Sequence, residues 1–486
     1  MTLFDLDPPV VALTALLAIP AASAALLALL PGYRLGARLN VLASFATLLA
    51  AVSLLVERPA RSGYLFVDDL NIVFVVLGTF VGCTTSAFSA SYIAHELETG
   101  RLTPRYVRFY HAMYQTLMFA MNLGLVANNI GLMWVAVELA TLTTVALVGI
   151  YRTHEALEAA WKYFILGSVG IALALFGTIL VYMAARPVIG EGHDAMLWTV
   201  LMAKAGDFSP ELMNVAFIFL MLGYGTKVGL APLHAWLPDA HAEGPTPISA
   251  VLSGLLLNVA LYAVLRFKML LAANPAAVAP GPLMVTLGLV SVIFAAFMLY
   301  RRRDIKRMFA YSSIEHMGII TFAFGMGGPL ANFAGLLHMT MHSLTKSAIF
   351  FTVGHIAQAK GTQRISEIRG LTESHPVLGW GLVLGVVAIA GLPPLGIFMS
   401  EFLIVSSTFA RAPVLALLLV FGLLVAFGAL MLRLNEMAFG ATTGSKAKVE
   451  ASYVPLYLHL ALVAAAGIYL PAPLVAWFQS VARLLG

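Results

Sequence analysis

The chain has 486 residues, of which 60% are hydrophobic and only 10% are charged, and its formal net charge at pH 7 is +5. Soluble domains carry about 25% charged residues, so this composition excludes a soluble protein and indicates a polytopic helical membrane protein. Scattered basic residues exclude a nucleic-acid partner, and the single cysteine, Cys83, excludes a disulfide framework or a cysteine-ligated cluster within the chain.

The apolar segments predict an all-α fold with about 14 transmembrane helices, because each has about 20 residues, the length that crosses ~30 Å of hydrocarbon. The predicted spans are 9–30, 36–56, 68–93, 107–127, 130–151, 158–185, 211–230, 248–271, 281–300, 305–326, 331–357, 377–407 (broken), 412–436 and 453–472. The whole chain, 1–486, is predicted to be a single membrane domain. Its longest connection, about 186–210, is expected to hold a surface helix. The acidic start of the chain does not fit a cleavable signal peptide.

Lysine and arginine in the loops predict the orientation, because cytoplasmic loops carry an excess of them. The richer set of loops contains Arg34, Arg38, Arg101, Arg105, Arg108, Arg152, Arg301, Arg302, Arg303, Lys306, Arg307, Lys360, Arg364, Arg369, Lys446 and Lys448. The poorer set includes Arg58, Arg61, Arg186, Lys204 and Arg411. This asymmetry predicts a multi-pass protein of the bacterial cell inner membrane with both termini on the periplasmic side.

Two of the predicted spans are interrupted. Residues 223–247 read GYGTKVGLAPLHAWLPDAHAEGPTP, with glycines and prolines that an unbroken helix would not tolerate. Residues 391–397, GLPPLGI, interrupt the twelfth span in the same way. The breaks lie five spans apart. Because five is an odd number of crossings, the two segments that contain the breaks cross the membrane in opposite directions. This predicts two inverted five-helix repeats, 107–271 and 281–436, with discontinuous helices 7 and 12, an architecture typical of transporters.

The first break also carries a family signature. The matching positions are Gly223, Gly225, Thr226, Lys227, Gly229, Pro232, Leu233, His234, Trp236, Leu237, Pro238, Asp239, Ala240, His241, Pro245, Thr246, Pro247, Ser249 and Ala250. This run resembles the signature of the antiporter-like membrane subunits of respiratory complex I, Mrp-type cation/proton antiporters and energy-converting hydrogenases. The branch of hydrogenase-4 component F is the most similar, and the resemblance covers roughly residues 65–440.

Lys227 and Glu138 are the first candidates for chemistry. Lys227 lies beside the first break, and Glu138 lies mid-span in MWVAVELATLTTVALVGI. A charge in the membrane is costly and marks an ion or proton pathway, so we expect a pair in which moving one partner releases the proton of the other. The alternatives are a fixed ion pair that joins two helices, or a lysine that snorkels to the surface. The resemblance implies the same functional pair, a glutamate of the fifth span and a lysine of the seventh.

The second break and the eleventh span supply further candidates. Glu401 follows the break, where the resemblance implies the proton exit, although a carboxylate after Ser400 could instead cap the second half-helix. His338, His342 and Lys346 have i, i+4, i+8 spacing, which places them on one helix face and favours a proton relay. A zinc site is disfavoured because no third ligand is spaced with them, and a structural hydrogen-bonded stripe is the remaining alternative.

Three more ionisable residues are expected to contribute. Glu315 and His316, in YSSIEHMG, are candidate relay members, and a glutamate before this histidine resembles the hydrogenase-4 branch. Lys162, in EAAWKYFILGS, is expected either to neighbour Lys227 and repel its charge, or to anchor the start of the sixth span at the membrane interface.

Polar residues after the first break are expected to receive the proton. His234, Asp239 and His241 line a cytoplasm-facing intake, or else satisfy loose backbone groups.

The eighth span departs from the family pattern. The resemblance implies a lysine or histidine there that bridges two half-channels, but SAVLSGLLLNVALYAVLRF has Ser253 and Asn258 at the matching positions. Neither side chain ionises. Three alternatives stay open: a water chain anchored by Asn258 and Tyr262, a link through the stripe of the eleventh span, or a subunit that no longer conducts.

The sequence therefore predicts a proton-translocating antiporter-like subunit of a hydrogenase-4, formate-hydrogenlyase or complex I-like membrane complex. Its expected partners are the lipid bilayer, other membrane-arm subunits and a peripheral redox module that performs the electron transfer. No nucleotide, flavin, haem or iron–sulfur motif is present, so no catalytic residue, cofactor or metal is predicted in this chain. The alternatives are a sodium/proton antiporter subunit of Mrp type and a non-conducting membrane scaffold for a soluble module.

Overall fold

The computed structural model describes residues 7–445 and 450–486, which form helices and three isolated β-bridges but no β-strand. The α-helices are α1 (Pro8–Leu29), α2 (Tyr33–Val56), α3 (Asp69–Glu98), α4 (Pro104–Val126), α5 (Ile130–Val148), α6 (His154–Ile189), α7 (Trp198–Lys204), α8 (Pro210–Val228), α9 (Trp236–Glu243), α10 (Thr246–Val251), α11 (Leu257–Ala272), α12 (Gly281–Arg301), α13 (Ile305–Met326), α14 (Pro329–Lys360), α15 (Leu371–Ser374), α16 (Pro376–Ile389), α17 (Gly396–Phe409), α18 (Pro413–Ala438), α19 (Tyr453–Ile468) and α20 (Ala472–Leu484). The all-α prediction is confirmed. Lys446 and Lys448, which contributed to the orientation argument, lie outside the described residues.

Nine helices within these described ranges are long and apolar enough to cross a membrane, and the bent pair α19–α20 is a tenth candidate. The helices α4, α13 and α14 have 23, 22 and 32 residues but are too polar to qualify. Nearly every residue of α13 and α14 is buried by neighbouring helices. A helix that is enclosed by protein need not present an apolar face to lipid, so its polarity is compatible with a position inside the bundle.

Both predicted helix breaks are present. The chain leaves α8 at Val228 and re-enters helical structure in the short α9, and it leaves α16 at Ile389 and resumes at Gly396 in α17. The long connection after α6 holds the seven-residue helix α7, as expected.

The end of the chain differs from the prediction. The last predicted span, 453–472, stops at Ile468, and the further helix α20 follows at an angle of 82°. Pro471 precedes α20 as its N-cap and lacks the backbone N–H that a continuous helix would need there.

Glycines allow the closest helix contacts. A Cβ added at Gly223 of α8 would lie 2.6 Å from the carbonyl oxygen of Gly170 in α6. Gly288 of α12 and Gly318 of α13 face each other in the same way, each with the partner's carbonyl oxygen 2.7 Å from its added Cβ. In lipid, the hydrophobic effect does not drive helices together. Small residues at such contacts let the helices approach closely, and van der Waals packing then stabilises their association.

Replacement of Gly223 by alanine should loosen the contact between α6 and α8. The added methyl group overlaps backbone atoms that cannot rotate away, which should destabilise the fold by about 1–3 kcal/mol. The measurement is the midpoint temperature of thermal unfolding of the full chain in detergent, which is monitored as the loss of monodisperse protein. Gly78→Ala is the matched control, because an added Cβ there meets no atom within 4 Å. Equal midpoints for the two variants would contradict the tight contact.

Candidate functional site

The first helix break is stabilised by hydrogen bonds within the bundle. After α8, Gly229 takes a φ of +82°, the left-handed conformation that glycine adopts readily. The N–H of Leu230 donates to the carbonyl of Gly225 at 3.0 Å. The indole N–H of Trp236 donates to the carbonyl of Thr226 at 2.8 Å. Protein groups therefore satisfy carbonyls that the break would otherwise leave unpaired at membrane depth.

Lys227 is buried at this break and faces Glu138. Its Nζ lies 3.9 Å from Oε2 of Glu138, and the two side chains are 1% and 19% exposed. Neither of these two atoms has a hydrogen-bond partner among the described residues. Gly167 makes room for the ammonium, since a Cβ there would lie 2.8 Å from Nζ. The structure thus brings the side chains of the predicted pair to within 3.9 Å of each other without a direct hydrogen bond.

Lys162 does not join this pair. Its Nζ lies 2.6 Å from a carboxylate oxygen of Glu158 and 3.2 Å from one of Asp239, and the side chain is 49% exposed. The next residue, Tyr163, turns inward instead, with its ring centroid 5.9 Å from Nζ of Lys227. This geometry disfavours Lys162 as a neighbour of Lys227 and agrees with the alternative that it anchors the sixth span at the interface.

The second break holds Glu401 close to its backbone. Gly391, in the segment between α16 and α17, takes a φ of +69°, and a Cβ added there would collide with the Glu401 carboxylate. Pro393 and Pro394 of the same segment are exposed. The carboxylate therefore folds back against the break, and a side chain at position 391 would displace it.

Side chains from three helices meet beside Glu401. Nδ1 of His316 in α13 lies 2.9 Å from Nε2 of His338 in α14, and Nδ1 of His338 lies 2.9 Å from Oγ of Ser400 in α17. The Ser400 hydroxyl donates its hydrogen to the carbonyl of Ile397 at 2.8 Å. Its oxygen therefore accepts from Nδ1 of His338, so Nε2 of neutral His338 is the acceptor that faces His316.

The predicted stripe of α14 continues this cluster. The ring of His342 stacks on that of His316, with centroids 5.5 Å apart. Lys346 donates to the carbonyl of Phe309 at 2.9 Å. Glu315 is close enough to interact electrostatically with both Lys346 and Glu401. The side chains of the stripe and of Glu315 and His316 are all at least 98% buried. The structure therefore unites Glu315 and His316 with the three residues of the stripe.

Two polar residues of the eighth span contact α13 and α14, the helices that carry His316 and the stripe. Nδ2 of Asn258 donates to Oγ of Ser343 at 2.7 Å, and Ser343 follows His342 in α14. Oγ of Ser253 lies 2.7 Å from Oγ of Ser313 in α13. Between α10 and α11, Leu252–Leu256 form a π-helical turn, a feature that is frequent at functional sites.

Tyr262 is engaged elsewhere. Its hydroxyl accepts from Nε of Arg266 at 2.8 Å, and Arg266 binds Asp68 at 2.7 Å. This geometry gives Asn258, rather than Tyr262, a contact with α14, the helix that carries the stripe.

The three residues after the first break have different surroundings. His234 packs its ring on Phe294, with centroids 4.7 Å apart, and His241 stacks on Phe350 at 4.9 Å. Asp239 is 25% exposed and pairs with Arg307 at 3.3 Å as well as with Lys162. Asp239 therefore lies at a boundary between protein and solvent, whereas His241 lies inside the bundle.

A polar cavity of about 580 Å³ opens at the ends of α3, α9 and α14. In its lining, the fully buried Glu96 pairs with Arg101 at 3.1 Å and accepts from Gln358 at 2.8 Å. Lys306 also lines it and donates to two backbone carbonyls around the end of α9, at 2.6 and 3.0 Å. Sequence analysis missed Glu96 because it falls beyond the predicted third span, where a charge is unremarkable. Extending the predicted third span by about one helical turn, to Glu98 where α3 ends, would have included Glu96.

Potential metal ligands converge beside Glu401. One ligand atom each from His316, His338 and Glu401 lie within 4.8 Å of one another. These donors come from three helices, which spacing along one helix could not reveal, and His342 of the predicted i, i+4 pair is not among them.

Comparison with known proteins follows this geometry. The family model described as "NADH:quinone oxidoreductase/Mrp antiporter, TM" matches residues 127–427, a range that contains Glu138, Lys227 and Glu401. A hydrogenase-4 component F homolog of Methylacidiphilum infernorum (isolate V4) is 62% identical over 460 residues, covering 95% of this chain and 97% of the relative. NADH-quinone oxidoreductase subunit N of Desulforudis audaxviator (strain MP104C) is 31% identical over 416 residues, covering 81% and 78%.

A solved structure shares the fold. A chain of the membrane-bound sulfane sulfur reductase, an archaeal respiratory membrane complex, matches with a TM-score of 0.85 and 23% identity over 98% of this chain and 97% of that chain.

Replacement of Trp236 by phenylalanine should destabilise the first break. The change removes one of two donors to the Thr226 carbonyl, which still accepts from the N–H of Gly229 at 3.2 Å, at a cost of about 0.5–1.5 kcal/mol. Thermal unfolding of the full chain in detergent measures this loss. Trp161→Phe is the control, because Trp161 is 62% exposed on the bundle surface. A Trp236 variant as stable as the Trp161 variant would show that the indole does not stabilise the break.

Proposed function

Because the chain belongs to the NADH:quinone oxidoreductase/Mrp antiporter transmembrane family, we propose that it is a proton-translocating subunit of a membrane-bound redox complex of hydrogenase-4 type. The observation that carries the proposal is the Lys227–Glu138 pair, 3.9 Å apart and buried at a helix break. Buried charges inside a membrane bundle mark ion pathways, and discontinuous helices build ion sites in transporters.

The energetics of the pair suit a switch. Two unit charges 4 Å apart attract by about 4 kcal/mol at an effective dielectric constant of about 20. Removing each of the two charges from water costs several kcal/mol, so the attraction offsets only part of the desolvation and the charged pair is held weakly. A small movement of either side chain is then enough to change which of them holds a proton. The lack of a direct hydrogen bond and the space at Gly167 support such movement.

The proposed path runs between the two breaks. A proton is taken up near His234 and His241, loads Lys227 under the control of Glu138, and crosses by Asn258 to the stripe. The contact from Asn258 to Ser343 supports the crossing, because it links the eighth span to the residue after His342. The stripe then passes the proton through His316 and His338 to Glu401.

The cavity lined by Glu96 and Lys306 supports uptake from that side of the bundle. Its volume of about 580 Å³ holds several waters, each of which occupies about 30 Å³ in the liquid. Arg101 and Lys360 belong to the richer set of basic loops, so this side is cytoplasmic in the proposed orientation, with both termini periplasmic.

The proposed architecture has fourteen spans, with inverted repeats at 107–271 and 281–436. In support of it, each break contains a glycine in the left-handed conformation, Gly229 in the first and Gly391 in the second. The nine apolar helices of the described residues and the bent pair α19–α20 give ten spans, and the polar helices α4, α13 and α14 together with the broken pair α16–α17 complete the fourteen. The redox chemistry lies on partners, namely other membrane-arm subunits and a peripheral module.

A non-conducting scaffold is the second candidate. The uncharged Ser253 and Asn258 favour it, because they interrupt the line of ionisable groups between the two breaks. A scaffold would assemble with the same partners but carry no proton.

Removal of either charge of the pair should stop translocation. Lys227→Ala and Glu138→Gln each leave the other group without its partner, so proton translocation by the intact complex should fall at least tenfold while electron transfer by the partner subunits continues. The measurement is proton flux into liposomes or inverted vesicles, with an ionophore to define zero gradient. Exposed Lys204→Ala and Glu211→Gln are the matched controls. Full pumping by both pair variants would refute their assigned roles.

Replacement of Lys346 and replacement of Lys162 should have different effects on proton translocation. Lys346→Met removes a fully buried member of the stripe and should reduce translocation at least tenfold, whereas Lys162→Met removes a half-exposed ion pair and should change it less than twofold. The same vesicle assay decides between them. Loss of pumping in the Lys162 variant alone would place the path along α6 instead of α14.

A further inference from the structure

The cluster beside Glu401 has the donors of a transition-metal site. The geometry points to His316, His338 and Glu401 as a binding site for a zinc-like dication whose occupancy blocks the proton path. The blocking effect rests on the proposed function, whereas the binding itself does not. The three ligand atoms come from α13, α14 and α17 and lie within 4.8 Å of one another.

The two imidazole nitrogens are spaced close to the ligand separation of a tetrahedral site. Zinc binds imidazole nitrogen at about 2.0–2.1 Å, which places neighbouring ligand atoms about 3.3 Å apart. Nδ1 of His316 and Nε2 of His338 are 2.9 Å apart and share the hydrogen that Nδ1 of His316 donates. To admit a zinc ion they separate by about 0.4 Å, and that hydrogen moves to Nε2 of the same His316 ring, the other neutral tautomer.

The orientation of His338 favours a metal. Because Ser400 donates to the Ile397 carbonyl, its oxygen holds the hydrogen on Nδ1 of His338. The lone pair of His338 is therefore on Nε2, the nitrogen that faces His316. A hydrogen bond from the second ring nitrogen to a neighbouring oxygen is the usual support of a metal-bound histidine.

The charges and the ligand type select the ion. Glu401 and Glu315 supply two carboxyl groups that can release their protons when a dication binds and so balance its charge in a buried site. His342 stacks against His316 with ring centroids 5.5 Å apart but is not one of the three converging donors, so a water molecule would complete a tetrahedral site. Imidazole donors favour zinc, copper and nickel, whereas magnesium and calcium prefer oxygen ligands alone.

The proposed site lies next to the second break. Gly391 of this segment contacts the Glu401 carboxylate. A bound cation would therefore lie beside the break. Once bound, it holds His316, His338 and Glu401 together, so none of the three can accept or release a proton.

The experiment measures metal binding on the full chain, purified without a polyhistidine tag. The chain is equilibrated with Zn²⁺ or Co²⁺, and bound metal and the visible absorption of Co²⁺ are recorded. We expect one tightly bound ion per chain with the absorption of tetrahedral Co²⁺. His316→Gln and Glu401→Gln should weaken binding at least tenfold. Ser400→Ala, which keeps every ligand but frees the His338 ring, should weaken it about tenfold. His355→Gln, which changes another buried histidine of α14, is the control and should bind as the parent does.

The outcomes separate binding from transport. No stoichiometric metal, or equal affinity in all of these proteins, overturns the site even if the complex pumps protons. In the intact parent complex, Zn²⁺ should inhibit translocation and a chelator should restore it. Metal that binds at this site without inhibiting a pumping complex overturns the blockade and leaves the proposed function standing.

Discussion

A lysine ammonium inside a helix bundle needs an opposite charge nearby, and this need governs the first half of the molecule. Lys227 is 1% exposed, and Glu138 faces it from α5 at 3.9 Å. The side chain fits because α6 presents Gly167 to the ammonium, where any Cβ would lie 2.8 Å away. The helix that carries Lys227 ends one residue later, and Trp236 satisfies a carbonyl that this end exposes. The pair, the glycine and the break therefore depend on one another.

The same constraint explains the polar helices in the second half. α13 and α14 carry a buried glutamate, a buried lysine and the stacked histidines between them, which lipid would not accept, and both helices are almost wholly buried by their neighbours. The break between α16 and α17 brings Ser400 and Glu401 to the end of this row. Hydrogen bonds that join Ser400 to His338 and His338 to His316 then order the imidazoles. Polar side chains that are enclosed in this way can be hydrated and can bind protons without contact with lipid.

Much of this arrangement follows from the sequence. Glycine and proline predict the helix breaks at 223–247 and 391–397. Helical periodicity predicts that His338, His342 and Lys346 lie on one helix face. Contacts between helices cannot be predicted from the spacing of residues along one sequence. The approach of His316 to His338, the π turn at Leu252–Leu256 and the outward turn of Lys162 all depend on how helices rotate against each other. Glu96 was missed for a related reason, since only the neighbouring helices make it buried.

The central claim is that a proton can pass from Lys227 to Glu401 through ionisable groups that Asn258 and water molecules connect. A cryo-EM map of the intact complex in lipid nanodiscs, resolved well enough to place ordered waters, tests it most directly. The account predicts Nζ of Lys227 at mid-membrane depth beside Glu138, with waters that bridge from there past Asn258 to His342. An ammonium in the headgroup region, or closed apolar packing between Lys227 and Asn258 in every state of the turnover cycle, would contradict it.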